Sequence, residues 1–237
     1  MKFLYNAPGI LYNDSLIIGD THFGMENKLK QKGIYDSLFS LRLFEKLKSL
    51  INEYSIKNLI LLGDVKEEIQ FLDAKSEYIL NKLSQILNVT IVRGNHDGGI
   101  EKLPSVKIIE SSGFVFGDLG LIHGHAWPSS ELLNCKYLVM AHQHPLIQLT
   151  DTLGKKYTEA IWLFAPPSDD LSNYFPTFNS QIKLILMPAF NPLLGNIINR
   201  SNSGLGPLLN KNLFKLNDAL VFRLDGTNLG QLKTLKG

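Results

Sequence analysis

Cysteine is almost absent from this sequence, and so is a strong excess of either charge. The chain of 237 residues has one cysteine, Cys135, which excludes an internal disulfide and a thiolate metal cluster and predicts a reducing compartment. The net charge is only +2, whereas nucleic-acid-binding proteins usually carry a concentrated basic face. A nucleic-acid partner is therefore allowed by the composition but not supported by a strong basic patch.

Long apolar runs are missing as well. No stretch approaches the ~20 apolar residues of a membrane span, and residues 1–14 lack the apolar core and cleavage site of a signal peptide. The hydrophobic content of 44% is nevertheless sufficient for a sizeable core. We expect a soluble, cytoplasmic protein without a membrane partner, folded as a single domain over residues 1–237.

Alternating strand and helix patterns occupy the first half of the chain. Apolar runs at 15–18, 59–62 and 89–92 predict buried strands. Apolar stripes predict two helices between them, one capped by Asp36 or Ser37 and one beginning after Asp73 with Ile86 on its buried face. Shorter strands are predicted at 106–109, 114–116, 119–122, 136–141, 161–164, 182–187 and 220–224. This order indicates an α/β fold that changes to mixed pairing, with a packed irregular loop at 191–212.

All histidines of the chain lie in four short motifs. The motifs are GDTHF, RGNHD, IHGHAW and MAHQHP, and they contain His22, His96, His123, His125, His142 and His144. A fifth motif, LLGDV, contributes Asp64. Each motif follows an apolar run, and the ends of neighbouring buried strands converge in space. The pattern therefore predicts one metal site assembled from five loops.

The donor atoms of these motifs suggest which metals the site takes. The candidate ligands are Asp20, His22, Asp64, Asn95, His123, His142 and His144. Oxygen and nitrogen donors without sulfur suit Mn, Fe, Co, Ni or Zn. Seven ligands exceed what one ion uses, whereas two ions about 3.5–4 Å apart share a carboxylate and hold a hydroxide that attacks a phosphate ester. Within the GDTH and HQH motifs, the spacing of two predicts an extended backbone that points both side chains to one side.

Taken in order, the motifs GDTH, GD, GNHD, HGH and HxH resemble the calcineurin-like metallophosphoesterase superfamily. The resemblance implies a four-layer α/β fold, in which two mixed β-sheets pack face to face and are flanked by helices. It also implies a dinuclear centre, for which Mn is favoured, with Asp64 bridging the two ions. Asp20, His22 and His144 would complete one metal site, and Asn95, His123 and His142 the other. His96 would be the catalytic histidine that assists the leaving group.

A closer resemblance rests on other segments. KEEI after Asp64, MPAFNPLLG and the closing LDG are similar to the small SbcD-related and DNA-ligase-associated phosphoesterases. One position departs from the superfamily pattern, since Ala141 stands where the last motif usually has glycine. We expect the methyl group to crowd the turn or the substrate, but it removes no ligand.

Several other residues have both a functional and a structural interpretation. Asp97 is predicted to brace His96 or its loop. In HGH either histidine can be the metal ligand; the resemblance favours His123 and leaves His125 to contact substrate or assist catalysis. Arg93 is interpreted either as a phosphate-binding residue or as a salt-bridged side chain. The basic loop of Lys28, Lys30 and Lys32 is predicted to be a plain solvated loop rather than a patch that steers a polyanion. Trp127 and Phe190 are predicted to be core residues rather than base-stacking platforms, and Cys135 a buried small hydrophobe.

Three hypotheses for function follow. The first is a metal-dependent phosphoesterase that hydrolyses a small phosphoester or nucleotide, with diesters favoured over monoesters. The second is a metal-dependent DNA or RNA nuclease linked to DNA repair. The third is a non-catalytic binding module, which is disfavoured because such proteins tend to lose a ligand or the catalytic histidine. The sequence does not indicate an oligomeric state.

Overall fold

A largely parallel sheet carries the first three motifs. The structure, a computed structural model, describes residues 1–199 and 206–235. In these residues the first sheet has six strands, in chain order: β1 (Lys2–Phe3), β2 (Ile10–Tyr12), β3 (Ser15–Ile18), β4 (Asn58–Leu62), β5 (Asn88–Val92) and β6 (Val106–Ile109). Strands β3 to β6 run parallel, and β1 and β2 add an antiparallel edge.

The second sheet carries the two remaining motifs. Its nine described strands are β7 (Phe114–Phe116), β8 (Leu119–Ile122), β9 (Tyr137–Met140), β10 (Pro145–Thr150), β11 (Lys156–Ala165), β12 (Lys183–Leu186), β13 (Asn196–Ile197), β14 (Leu220–Arg223) and β15 (Asn228–Gln231). Strands β8, β9 and β12 are parallel, whereas β10 and β11 form an antiparallel hairpin. Both sheets are therefore mixed.

The helices lie outside the two sheets. They are α1 (Glu26–Gln31), α2 (Phe39–Glu53), α3 (Ala74–Ile86), α4 (Leu171–Tyr174) and α5 (Pro207–Asn210). Apolar residues of α2 and α3, such as Leu47 and Ile79, form one core with Leu59 of β4. On the second sheet, α4, α5 and the 3-10 turn Ser130–Asn134 contribute to a separate core. In the described part of the chain, no helix has the length and hydrophobicity to cross a membrane.

Side chains from both sheets share a third core. This cluster includes Ile17 and Ile60 from the first sheet and Val139 and Ile185 from the second. The sheets therefore pack face to face through these apolar residues, with helical segments outside. The predicted four-layer α/β fold is confirmed, although the layer over the second sheet consists of short helical segments rather than long helices.

Element boundaries correct some sequence predictions. Helix α2 begins at Phe39 and has no side-chain cap, so the predicted cap at Asp36 or Ser37 was wrong. Asp73 does cap α3, since its carboxylate accepts hydrogen bonds from two backbone N–H groups. Ile86, predicted to be buried, is exposed because it lies at the last turn of α3. Strands β1, β2, β10, β13 and β15 were not predicted, and residues 200–205 of the predicted 191–212 loop lie outside the described residues.

Candidate metal centre

The five motifs meet at one edge of the sandwich. Asp20, Asp64 and Asn95 follow the parallel strands β3, β4 and β5, and His123 and His142 follow the parallel strands β8 and β9. Parallel strands present their carboxyl ends at the same sheet edge. Because the two sheets pack face to face, the predicted ligands from both converge there.

The first cluster consists of Asp20, His22 and His144. One ligand atom from each lies within 4.8 Å of the others. Nε2 of His144 is 3.1 Å from Oδ1 of Asp20, and Asp20 is fully buried. The Asp20 carboxylate also accepts a hydrogen bond of 3.1 Å from the backbone N–H of His142. Contacts within the protein therefore hold the first motif and the last motif together without a metal ion.

A second cluster lies beside the first. Asp64, His123 and His142 bring ligand atoms within 4.8 Å of one another. The side-chain oxygen of Asn95 is 3.3 Å from Nε2 of His123. All seven predicted ligands are thus gathered in two adjacent groups.

The carboxylate of Asp64 lies between the two groups. Its Oδ2 is 3.5 Å from Nε2 of His22, and its Oδ1 is 3.4 Å from Nε2 of His123. One oxygen therefore faces each cluster. A carboxylate in this position would be able to bind a cation on either side.

The free nitrogens of the histidines fit cation ligands. Nδ1 of His123 donates to the carbonyl of Leu62 at 2.7 Å, because a carbonyl only accepts, and this leaves Nε2 free. Nε2 of His22, Nδ1 of His142 and Nε2 of His144 are buried and make no hydrogen bond within residues 1–199 and 206–235. The nearby oxygens of Asp64 and Asp20 lie outside hydrogen-bond geometry toward His22 and His144. Buried nitrogens without partners are costly. Metal ligation would satisfy all of them at once.

The buried carboxylates raise the pKa of two histidines in the clusters. Burial lowers the pKa of His22, but Asp64 and Glu67 outweigh it and raise that pKa to about 9. Burial also lowers the pKa of His123, but Asp64 and Asp20 outweigh this effect and raise that pKa to about 9. Without cations, protons on these rings balance the buried carboxylates. Divalent ions would replace the protons, since imidazole must be deprotonated to bind metal.

An unusual backbone conformation supports most of the predicted ligands. Asp20, His22, Asp64, His142 and His144 have φ between 44° and 66°, in the left-handed region. The prediction of an extended backbone across GDTH and HQH was therefore wrong, although the paired side chains still converge. Non-glycine residues reach this region at a cost of roughly 1–2 kcal/mol each. Positions of this kind cluster at functional sites.

Gly63 allows the strand end to approach His123. Its φ is 72°, and a Cβ atom built on it would lie 2.5 Å from the His123 ring. We expect Gly63→Ala to lower the free energy of unfolding by about 2–5 kcal/mol, from left-handed strain and overpacking together. Gly33→Ala is the matched control, because Gly33 has φ of 78° and open space around it. Urea unfolding of the metal-free variants checks this, and equal losses would contradict the close contact.

Ala141 occupies space left by another glycine. It is fully buried between the sheets, and a Cβ atom on Gly19 would lie 2.7 Å from the Ala141 methyl group. The methyl group thus packs against Gly19. The departure from the superfamily pattern is accommodated in the core.

His96 lies beside both clusters. Its backbone N–H donates to Oδ1 of Asp64 at 2.9 Å, and its ring centroid is 4.8 Å from that of His22. Nδ1 donates to the carbonyl of Glu67 at 2.8 Å, so Nε2 is the nitrogen left for chemistry. Asp97 accepts from the backbone N–H groups of Asp64, Val65 and Gly94 at 2.7–2.9 Å. It therefore ties two ligand loops together rather than contacting the His96 ring.

Sequence reasoning missed two residues of the KEEI segment. Glu67 accepts from Nδ1 of His22 at 2.8 Å and pairs with Lys28, and it forms with His22 and His96 a third group of possible ligand atoms within 4.8 Å. Lys66 is fully buried and donates to the backbone carbonyls of Glu68 and, at 2.6 Å, His96. The KEEI segment served only as a point of resemblance in the sequence analysis. Nothing in the sequence predicted that Glu67 contacts His22 or that Lys66 contacts the backbone of His96.

Other predicted residues have mixed outcomes. Arg93 pairs with Glu101 at 3.4 Å and with Glu110 at 4.0 Å, which is the salt-bridged alternative. His125 lies 5.3 Å from His123 between ring centroids, and its Nδ1 is buried without a described hydrogen-bond partner. The predicted basic loop was wrong, since Lys28 and Lys30 belong to α1 because residues 26–31 form helical turns.

The aromatic predictions also divide. Phe190 and Cys135 are buried, as predicted. Trp127 is 43% exposed, so its prediction as a core residue was wrong. Its ring stacks on Tyr174 at the surface instead, with 5.5 Å between ring centroids.

A comparison with one solved structure supports the fold. The structure of a nuclease from Pseudomonas putida, MPE, is similar to this chain, with a TM-score of 0.56 and 16% sequence identity. The similarity covers 93% of this chain and 89% of the MPE chain. YfcE, a phosphoesterase from E. coli, is similar over 92% of this chain and 97% of its own, at a TM-score of 0.44 and 18% identity. No curated protein matches the sequence.

A family model described as the calcineurin-like phosphoesterase superfamily domain matches residues 14–155. This range is more than half of the chain, and it includes every residue of the five motifs. Members of a family share the fold, and the two mixed sheets are those that the family resemblance implied. The chain belongs to the calcineurin-like phosphoesterase superfamily.

Proposed function

We propose that the chain is a phosphodiesterase with two divalent metal ions, most favourably Mn. The observation that carries the proposal is the Asp64 carboxylate, which has one oxygen 3.5 Å from His22 and the other 3.4 Å from His123. Asp20, His22 and His144 would hold one ion with Asp64. Asn95, His123 and His142 would hold the other. Oxygen and imidazole donors without thiolate also suit Fe, Co, Ni and Zn.

The proposed reaction uses the two metal ions and the side chain of His96. When bound, two such ions supply Lewis acidity toward a phosphoryl group and a water of lowered pKa that attacks at neutral pH. His96 would hold a proton at Nε2 and pass it to the leaving oxygen. The hydrogen bond from Nδ1 of His96 to the Glu67 carbonyl, 2.8 Å long, fixes which nitrogen faces that oxygen.

The described arginines favour a diester over a monoester. A monoester dianion carries more charge than a diester and gains more from a guanidinium group. Arg42 pairs with Asp36, Arg93 with glutamates, and Arg223 with Glu159. In residues 1–199 and 206–235, each arginine is thus engaged with an acidic partner. The singly charged diester is the substrate class that this arrangement supports.

The test is a Mn-supplemented screen combined with metal analysis. We expect hydrolysis of methyl p-nitrophenyl phosphate to exceed that of p-nitrophenyl phosphate, and about two ions per chain by elemental analysis. Cyclic nucleotides complete the screen. Absence of hydrolysis together with absence of bound metal would leave the binding-module hypothesis in place of the enzyme.

A second candidate function is a nuclease. One specific observation favours it, namely the likeness in fold to the Pseudomonas putida protein described as a nuclease. Digestion of single- and double-stranded DNA beside the chromogenic diester distinguishes the two. Cleavage of DNA at a rate comparable to that of the small diester would favour the nuclease.

Glu67→Gln is expected to weaken Mn binding about 10- to 100-fold, the range found when partners of metal-bound histidines are replaced. The substitution removes the carboxylate that accepts from Nδ1 of His22 at 2.8 Å. Glu68→Gln is the matched control, because Glu68 is the adjacent glutamate and its described hydrogen bond uses only the backbone carbonyl. Isothermal titration with Mn measures both affinities. Equal affinities would show that the Glu67 contact does not orient His22.

A further inference from the structure

Trp127 and Tyr174 form an exposed aromatic stack on the second sheet's side of the molecule. Their ring planes differ by 20°, and their centroids are 5.5 Å apart. Trp127 is 43% exposed and Tyr174 is 44% exposed. Buried Phe175 packs against Trp127 at a tilt, with 6.1 Å between centroids. The indole is therefore held in place by the protein while much of its surface meets solvent.

Trp127 lies on the loop that follows β8 and that also carries the predicted ligand His123. Trp127 comes two residues after His125, and two residues span at most about 7 Å. The ring of His125 is 5.3 Å from His123 and 6.1 Å from His142 between centroids. A group esterified to a phosphate at these ligands therefore has the indole within its neighbourhood.

We propose that this stack, defined by Trp127 and Tyr174, is a subsite for a nucleobase, so that the substrate is a phosphodiester bearing a nucleoside. The proposal rests on the proposed phosphodiesterase function. Tyr174 stacks on one side of the indole, and the part of the stack that remains exposed takes any base by stacking, because every base has a π-face. A simple alkyl alcohol has no such face and gains nothing from the stack. The net charge of +2 does not point to a long polyanion, so a short nucleotide ester fits best.

The test uses two esters with the same leaving group. Thymidine 5′-(p-nitrophenyl phosphate) carries a base, whereas methyl p-nitrophenyl phosphate does not. We expect wild type to prefer the thymidine ester in kcat/KM, and Trp127→Ala to reduce this preference roughly 5- to 150-fold, the range for loss of one stacked base. Trp127→Phe should retain part of it. A preference that is unchanged in Trp127→Ala would overturn the proposal.

A matched control and a second readout complete the test. Tyr157 is 40% exposed and lies on β11 opposite Leu149, so Tyr157→Ala should leave the preference intact. The chain has two tryptophans, and Trp162 is buried. In Trp162→Phe with Mg, thymidine 5′-monophosphate should quench the fluorescence of Trp127, whereas inorganic phosphate should not. Equal effects of the two probes would contradict the subsite.

The two readouts separate this inference from the proposed function. Base-dependent quenching without hydrolysis of either ester would refute the phosphodiesterase and support the subsite. Hydrolysis of both esters with no loss of preference in Trp127→Ala would support the phosphodiesterase and refute the subsite.

Discussion

Asp64→Asn is expected to lower hydrolysis of the methyl diester by about 10²- to 10⁴-fold, corresponding to the several kcal/mol that metal ions contribute to transition-state stabilisation. The physical reason is that the Asp64 carboxylate has one oxygen toward His22 of the first cluster and the other toward His123 of the second. Asparagine keeps an oxygen that accepts from the backbone N–H of His96, a hydrogen bond of 2.9 Å. The loop geometry should therefore survive the loss of charge.

Metal content is the decisive measurement for Asp64→Asn. We expect elemental analysis to fall from about two ions per chain to one or fewer, because a neutral amide bridges two cations poorly. Asp169→Asn provides the control, since the Asp169 side chain is 99% exposed. Two ions retained in Asp64→Asn, with activity close to wild type, would show that Asp64 does not bridge.

Replacement of His96 should separate metal binding from proton transfer. We expect His96→Ala to lower kcat about 10²- to 10⁴-fold, the usual contribution of a positioned acid or base. The loss should be larger for an alkyl leaving group than for p-nitrophenolate, because p-nitrophenolate leaves without a proton. Mn stoichiometry should stay near two, since His96 is not among the seven proposed ligands.

His96→Asn serves as the matched variant. Its side-chain amide retains an N–H donor near the Glu67 carbonyl, which accepts from His96 in the parent at 2.8 Å. If both variants lose activity equally for good and poor leaving groups, the histidine acts on something other than the leaving oxygen. Loss of bound Mn in either variant would assign His96 to the ligand set.

The sequence was sufficient to predict the fold and the gathering of the motifs. Apolar runs such as 59–62 are local signals, and the parallel pairing of β3, β4 and β5 places their ends together. Conformation within the motifs was not predictable in the same way. A spacing of two suggested extended backbone for Asp20 and His22, but both have positive φ, because contacts from other loops decide the local conformation.

Contacts between distant segments explain the remaining errors. The side chain of Glu67 contacts His22, 45 positions away in the chain, and no periodicity encodes such a partner. The stacking partner of Trp127 is Tyr174, which comes from a later helix. The unpredicted strand β10 begins directly after His144, in a stretch that the sequence analysis treated only as the end of a motif.

The left-handed backbone at five proposed ligands has a consequence for evolution. At roughly 1–2 kcal/mol each, these positions together cost about 5–10 kcal/mol, which is similar to the whole stability of an ordinary domain. A glycine at any of these positions would remove the cost of the left-handed backbone, but it would also remove the side-chain atom proposed to bind metal. Substitutions that raise the free energy of unfolding at these positions would therefore also lower activity. The rest of the fold must supply the stability that offsets the strained backbone of these loops.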